Sequence, residues 1–141
     1  MRDGKYLVFI SHSSKDTWVA RQIGRAIIEC EAVTFLDYGN IPVGANFEDK
    51  IRDALWEAEE FLLLLTPWAV ADHPYIWSEA GLAWGRKIPI VGILHGFSVN
   101  ELLTLPNIPV YLKASNLQDL NYIDDYFNQL AERVKKTPPV P

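Results

Sequence analysis

Cysteine is almost missing from the 141-residue chain. Cys30 stands alone, so no internal disulfide framework and no multi-cysteine zinc or iron–sulfur pattern can form. A solitary cysteine fits a reducing cytosol and reads as a small buried hydrophobe. Basic excess is missing too: 13 Lys and Arg against 18 Asp and Glu give a net charge of −5, which argues against binding nucleic acid by phosphate neutralisation. No apolar run exceeds five residues, as in Phe61–Leu65, so none spans a bilayer. The charged start, Met1 to Lys5, lacks the apolar stretch of a secretory signal. A cytoplasmic protein with no membrane and no nucleic-acid partner is expected. Catalytic signatures are also missing: GxxxxGK[ST], GxGxxG, HExxH and GxSxG do not occur.

What is present suffices for one core. With 49% hydrophobic residues and 22% charged, a chain of this size buries about 68% of its unfolded surface and needs no staples. Aromatics are abundant, five of them tryptophan. Apolar runs of strand length recur at Tyr6–Ile10, Val33–Leu36, Phe61–Leu65, Ile88–Leu94 and Ile108–Leu112. They are continuous rather than alternating, as in strands covered on both faces of a parallel sheet.

Helix-period segments lie between them. One carries Val19, Ile23, Ala26, Ile27 and Cys30, a second Phe47, Ile51, Ala54, Leu55 and Ala58. A third runs from about Asp72, a candidate N-cap, to Arg86, with Ile76, Ala80, Ala83 and Trp84 inward. A C-terminal stripe has Leu120, Ile123, Phe127, Leu130 and Val134. The order predicts an α/β, flavodoxin-like, doubly wound sheet of five parallel strands in the order 2-1-3-4-5, with helices on both faces. Segment 96–107 reads as a loop with a weak helical pattern around Val99–Leu103. Gly81 and Gly85 read as close packing of the third helix on the sheet, and Trp18, Trp56 and Trp84 as helix residues facing a core or a neighbour. Residues 1–136 are expected to form the domain and 137–141 a proline-rich tail or linker.

In such a sheet, ligands bind beyond the carboxyl ends of the strands. That rim collects Ser11-His12-Ser13-Ser14-Lys15-Asp16, Asp37-Tyr38-Gly39-Asn40 and Thr66-Pro67-Trp68. Glu79 follows on the third helix among Ala80, Gly81, Leu82 and Ala83, poor company for a solvated carboxylate. His73 and His95 have no spacing partner for a metal or a triad and read as loop or capping residues.

Three of these stretches, in order, resemble Toll/interleukin-1 receptor (TIR) domains, with the bacterial type as the nearest likeness. Val8-Phe9-Ile10-Ser11-His12-Ser13-Ser14-Lys15-Asp16 resembles the family's box one. Phe35-Leu36-Asp37, Ile41, Gly44 and the helix from Phe47 resemble its second strand and BB loop, and Trp77-Ser78-Glu79-Ala80-Gly81-Leu82-Ala83 with Lys87-Ile88-Pro89-Ile90-Val91 resembles its next helix and strand. The likeness spans about residues 6–135.

Many family members cleave NAD+ between nicotinamide and ribose with one glutamate, so the resemblance implies an NAD+ nucleosidase with Glu79 catalytic, acting in bacterial antiphage immune signalling. It implies Phe9, Ser11, His12, Asp37 and Ile41 in the pocket wall. Tyr75, four residues before Glu79 where the family commonly has tryptophan, is expected to stack on the substrate, with Trp77 a packing residue. His12 stands where the family often has tyrosine. Lys15 and Arg21 are candidate diphosphate contacts, and Tyr38, Gly39, Asn40, Pro42 and Gly44 would serve BB-loop assembly. NAD+ is then substrate, with no cofactor and no metal. Partners would be further copies or other TIR domains, and a sensor or effector domain beyond Pro141 or in trans. The rival expectation is a TIR scaffold without activity, assembling through the BB loop and helices. A third is an enzyme resembling nucleoside deoxyribosyltransferases, which share the fold and a glutamate.

Overall fold

A strand without polar alternation is stable only when both its faces are covered, and β1 (Leu7–Ser11) and β3 (Glu60–Leu65) are buried at every position. The structure is a computed structural model. It describes residues 5–36, 47–72, 74–106 and 108–137, with the backbone alone for 47, 48, 72, 74, 75 and 115. With β2 (Val33–Leu36), β4 (Ile90–Leu94) and β5 (Leu117–Asp119), the strands form one sheet in the order β2-β1-β3-β4-β5. Every neighbouring pair is parallel, as the strand-and-helix order predicted.

Side-chain alternation splits the interior into two layers. Leu7 and Phe9 of β1 with Phe61, Leu63 and Leu65 of β3 face α2 (Phe47–Glu57) and α4 (Pro74–Gly85), meeting Ala54, Leu55, Ile76, Ala80 and Ala83. Val8 and Ile10 with Leu62 and Leu64 face α1 (Thr17–Glu29) and α6 (Ile123–Lys136), meeting Ala20, Ile23, Ile27, Tyr126 and Leu130. Each fully buried Leu or Ile contributes about 1.5–3 kcal/mol, so both layers are needed to offset chain entropy.

The structure departs from the sequence reading in four places. The fifth strand is Leu117–Asp119 and not the apolar run Ile108–Leu112. Pro109 removes a ladder donor from within that run. It folds instead as a turn, Leu112 N–H donating to Pro109 C=O at 3.1 Å, with Leu112 still tucked into the core. Leu117 reaches the sheet edge because β4 offers Gly92, where a Cβ would lie 2.6 Å from Leu117 Cδ2.

The third helix is two helices, α3 (Pro67–Asp72) and α4; the Asp72 side chain, expected as a cap, and His73 lie outside the described residues. Val99–Leu103 is a helix, α5, because Ser98 and Glu101 form a reciprocal capping box at 3.1 Å each way. Finally, Trp18, Trp56 and Trp84 stay out of the core, and Gly81 and Gly85 are not closely packed. Trp18, Trp56 and Trp84 are 70%, 70% and 56% exposed, and nothing lies within 4 Å of a Cβ built on Gly81 or Gly85. Trp18 and Trp56 stand two residues from the buried Ala20 and Ala54, about 200° around the helix. Trp84 occupies the last turn of α4 and stacks on Tyr111, ring centroids 5.8 Å apart. Trp77 does pack against the core, as expected.

At the amino ends of the strands lies a polar cluster that the sequence reading missed. Glu60, fully buried at the start of β3, accepts hydrogen bonds from Tyr6 Oη at 2.8 Å, from Tyr126 Oη, and from Arg133 Nε and Nη2 at 2.8 and 3.1 Å. Burial, reinforced by the Glu60 charge, raises the Tyr6 and Tyr126 phenols above their ordinary range, and burial alone raises Tyr111 to about 12. A group whose folded pKa is raised gives stability that is complete below its unfolded value, about 10 for tyrosine, and is lost as pH rises through the folded value. Phenolate absorbance should therefore lag for three of the six tyrosines and rise with the loss of helical circular dichroism. A single phenolate transition complete near pH 10 with the helices intact would contradict this cluster.

Candidate active site

The carboxyl ends of β1 and β3 and the start of α4 meet on one rim. Ser11 closes β1 and pairs in register with Leu63 of β3. Its Oγ donates a hydrogen bond of 2.7 Å to Glu79 Oε1, and both residues are buried, Glu79 being 5% exposed. Helical periodicity explains the position: Ile76, Ala80 and Ala83 anchor α4 to the sheet, and Glu79, between the first two, is carried inward with them. Two residues 68 apart in sequence thus become a hydroxyl-oriented carboxylate in low-dielectric surroundings. Such a group stabilises positive charge far better than a solvated acid does.

The loop after β1 is locked to the loop after β3. Thr66 Oγ1 donates to Asp16 Oδ2 at 2.6 Å and accepts from Ala69 N–H at 3.2 Å. Both Asp16 and Thr66 are buried. Ser13 adds a local turn, its Oγ accepting from Lys15 N–H at 3.2 Å. Asp16 and Thr66 both fall on the rim stretches that the sequence singled out, but their bond was not legible there, because a threonine before a proline and an acid closing a serine-rich turn look like ordinary turn chemistry.

The other expected residues are placed as follows. Phe9 is fully buried, stacked between Phe35 at 5.2 Å and Phe61 at 5.4 Å. It lies on the same face of β1 as Ser11, in the layer under α2 and α4. His12 is buried, with Nδ1 2.8 Å from Ser13 C=O, which ties the ring to the loop backbone. Lys15 is exposed, its Nζ 6.0 Å from the Trp68 ring, and Arg21 is exposed on α1. Tyr75 is in the first turn of α4, and its side chain lies outside the described residues, as do Asp37, Tyr38, Gly39, Asn40, Ile41, Pro42 and Gly44. A cavity of about 720 Å³ between β2 and α2, lined by Leu7, Val33, Phe35 and Trp56 among others, includes neither Ser11 nor Glu79.

Among the described residues, no helix is long and apolar enough to cross a membrane. The sequence matches the family model of the TIR domain over residues 8–135. The fold is similar to the TIR domain of the Toll-related receptor TRR-2 from Hydra magnipapillata, at 17% identity, TM-score 0.67, and 91% of this chain against 97% of that one. It is similar to a metazoan TIR-STING receptor from C. gigas, at 18% identity, TM-score 0.64, and 94% of this chain against 40% of that one. It also resembles the TIR domains of the activated Roq1 resistosome directly recognising the pathogen effector XopQ, at 17% identity, TM-score 0.59, and 69% of this chain against 61% of that one. No curated protein matches the sequence. A family match across nearly the whole chain, on the sheet order that the family's fold requires, makes this chain a member of the TIR domain family.

Proposed function

We propose that this TIR domain is an NAD+ nucleosidase whose catalytic residue is Glu79. The observation that carries the reading is the buried Glu79 carboxylate, oriented by Ser11 at the carboxyl end of β1. Nicotinamide leaves NAD+ as a neutral ring from a cationic pyridinium, so bond cleavage needs no general acid, unlike ordinary glycoside hydrolysis with its paired carboxyl groups. Positive charge moves to the anomeric carbon and ring oxygen of the ribose as the bond breaks. Glu79 faces that charge and holds the ribose hydroxyls. Water then adds to the anomeric carbon to give ADP-ribose and a proton, or an atom of the ADP-ribosyl group adds and gives a cyclic isomer.

Ser11→Ala removes the orienting donor but not the charge, and should lower the rate about tenfold, as the loss of one charge-assisted hydrogen bond does. The check is the turnover number for nicotinamide release at saturating NAD+. A rate within twofold of wild type would remove Ser11 from the mechanism.

A non-catalytic assembly module is the second reading, favoured by the exposure of Trp18, Trp56 and Trp84, since large apolar side chains left in water mark contact surfaces. The readings also combine, self-association completing the pocket with a neighbour's loop, in a cytoplasmic signalling role. Incubating the protein with NAD+ at high protein concentration, beside Glu79→Ala, and weighing the products by mass spectrometry separates them. Nicotinamide with ADP-ribose or its cyclic isomer, from wild type alone, supports the enzyme. Unchanged NAD+ leaves the assembly module.

A further inference from the structure

We infer that Trp68, with Lys15 beside it, forms a platform for the base and phosphates of a nucleoside diphosphate at the rim of the Glu79 site. This deepens the nucleosidase reading and rests on it for the identity of the whole substrate. Trp68 follows β3 directly, on the first turn of α3, and is 48% exposed although the next residue, Ala69, is fully buried. Its ring is turned toward the loop that follows Ser11, since the Lys15 ammonium stands 6.0 Å from its centroid.

The rim under it is rigid. Thr66 is bonded to Asp16, and Pro67 packs over Gly96, where φ is +96° and a Cβ would lie 3.1 Å from Pro67 Cδ. Ser11 is level with Leu63 on the neighbouring strand, and Thr66 is three residues further on. β3 itself continues two residues past that level, to Leu65, about 7 Å at about 3.3 Å per residue, so Trp68 leaves the sheet beyond Ser11.

The chemistry of the pair selects the ligand. An exposed indole face takes any flat base by stacking, and an ammonium beside it favours a ligand that is both aromatic and anionic. On a chain of net charge −5, a lysine at the mouth of the candidate site provides local attraction for phosphate. A nucleoside diphosphate meets both demands, with its base on Trp68 and its phosphates toward Lys15. Glu79 lies further in, where the second ribose would sit. Tyr75 was the stacking residue expected from spacing, and Trp68 is a separate position on a different helix.

The test uses the full chain carrying Glu79→Gln, so that no ligand is consumed, and follows the tryptophan indole N–H signals by NMR while ADP is added. The Trp68 signal is the one missing from Trp68→Phe. ADP should shift it, ribose 5-phosphate, which carries a phosphate but no base, should not, and Trp68→Ala should weaken ADP binding about tenfold. Trp68→Phe should recover most of that loss, whereas Tyr122→Phe, at an exposed position ahead of α6, should leave ADP affinity unchanged. Lys15→Ala should weaken ADP more than adenosine and flatten the salt dependence. An unmoved Trp68 signal, or equal ADP affinity in Trp68→Ala and wild type, overturns the platform. The outcomes separate from catalysis: if ADP moves Trp68 while wild type leaves NAD+ intact, the platform stands and the nucleosidase fails. If wild type cleaves NAD+ and Trp68→Ala keeps the same KM, the platform fails and the nucleosidase stands.

Discussion

Glu60→Ala should cost about 3 kcal/mol of folding stability, toward the lower end of the range for breaking a buried ion pair by removing one partner. Two phenols and a guanidinium converge on this carboxylate. Its removal strands all three at the junction of β1, β3 and α6. The Arg133 side chain is 34% exposed, so water restores part of its hydration and the cost stays below the roughly 5 kcal/mol extreme. The Tyr6 and Tyr126 hydroxyls are less accessible and lose their acceptor outright. Replacing the network as a unit, Glu60→Leu with Tyr6→Phe, Tyr126→Phe and Arg133→Met, should be milder than Glu60→Ala alone, because no orphaned polar group then remains. Urea unfolding of the three proteins checks both claims. A change below about 1 kcal/mol in Glu60→Ala would mean that the cluster contributes little to holding α6 on the sheet.

Glu79→Gln should lose about a thousandfold or more in nicotinamide release while remaining folded. A full negative charge about 4 Å from the cationic ribose, at an effective dielectric near 20, is worth about 4 kcal/mol, and each 1.36 kcal/mol is tenfold in rate. Glutamine keeps the size and a carbonyl that accepts the Ser11 hydroxyl, so the packing of α4 has no reason to change. Circular dichroism and urea unfolding should match wild type within about 1 kcal/mol, and kcat should carry the loss. Loss of activity with loss of folding would make Glu79 a structural residue only.

Those two carboxylates show what was legible in the sequence. Both strands and helices with long, regular apolar patterns were readable, because burial on two faces leaves no polar alternation and a helix on a sheet leaves a stripe. Glu79 was readable for the same reason: an acid inside an apolar helix stripe is out of place unless it faces something. Glu60 has the same anomaly at the head of Phe61–Leu65, but its partners Tyr6, Tyr126 and Arg133 lie 54, 66 and 73 residues away, and no spacing rule brings them together. The fifth strand was misread because Ile108–Leu112 is more apolar than Leu117–Asp119, while Pro109 and the gap over Gly92 decide which of them can pair. The tryptophans were misread because composition counts them as core formers. Their phase on each helix sends them outward, and phase outweighs hydrophobicity when the inner stripe is already filled by Ala, Ile and Leu.

The most direct measurement is nicotinamide release from NAD+ by the wild-type protein, followed across a rising series of protein concentrations beside Glu79→Gln. Release by wild type that climbs faster than protein concentration, with none from the variant, is the predicted result. NAD+ left intact by wild type at the highest concentration, or cleaved equally by both proteins, would contradict the assignment of this TIR domain as a Glu79-dependent nucleosidase.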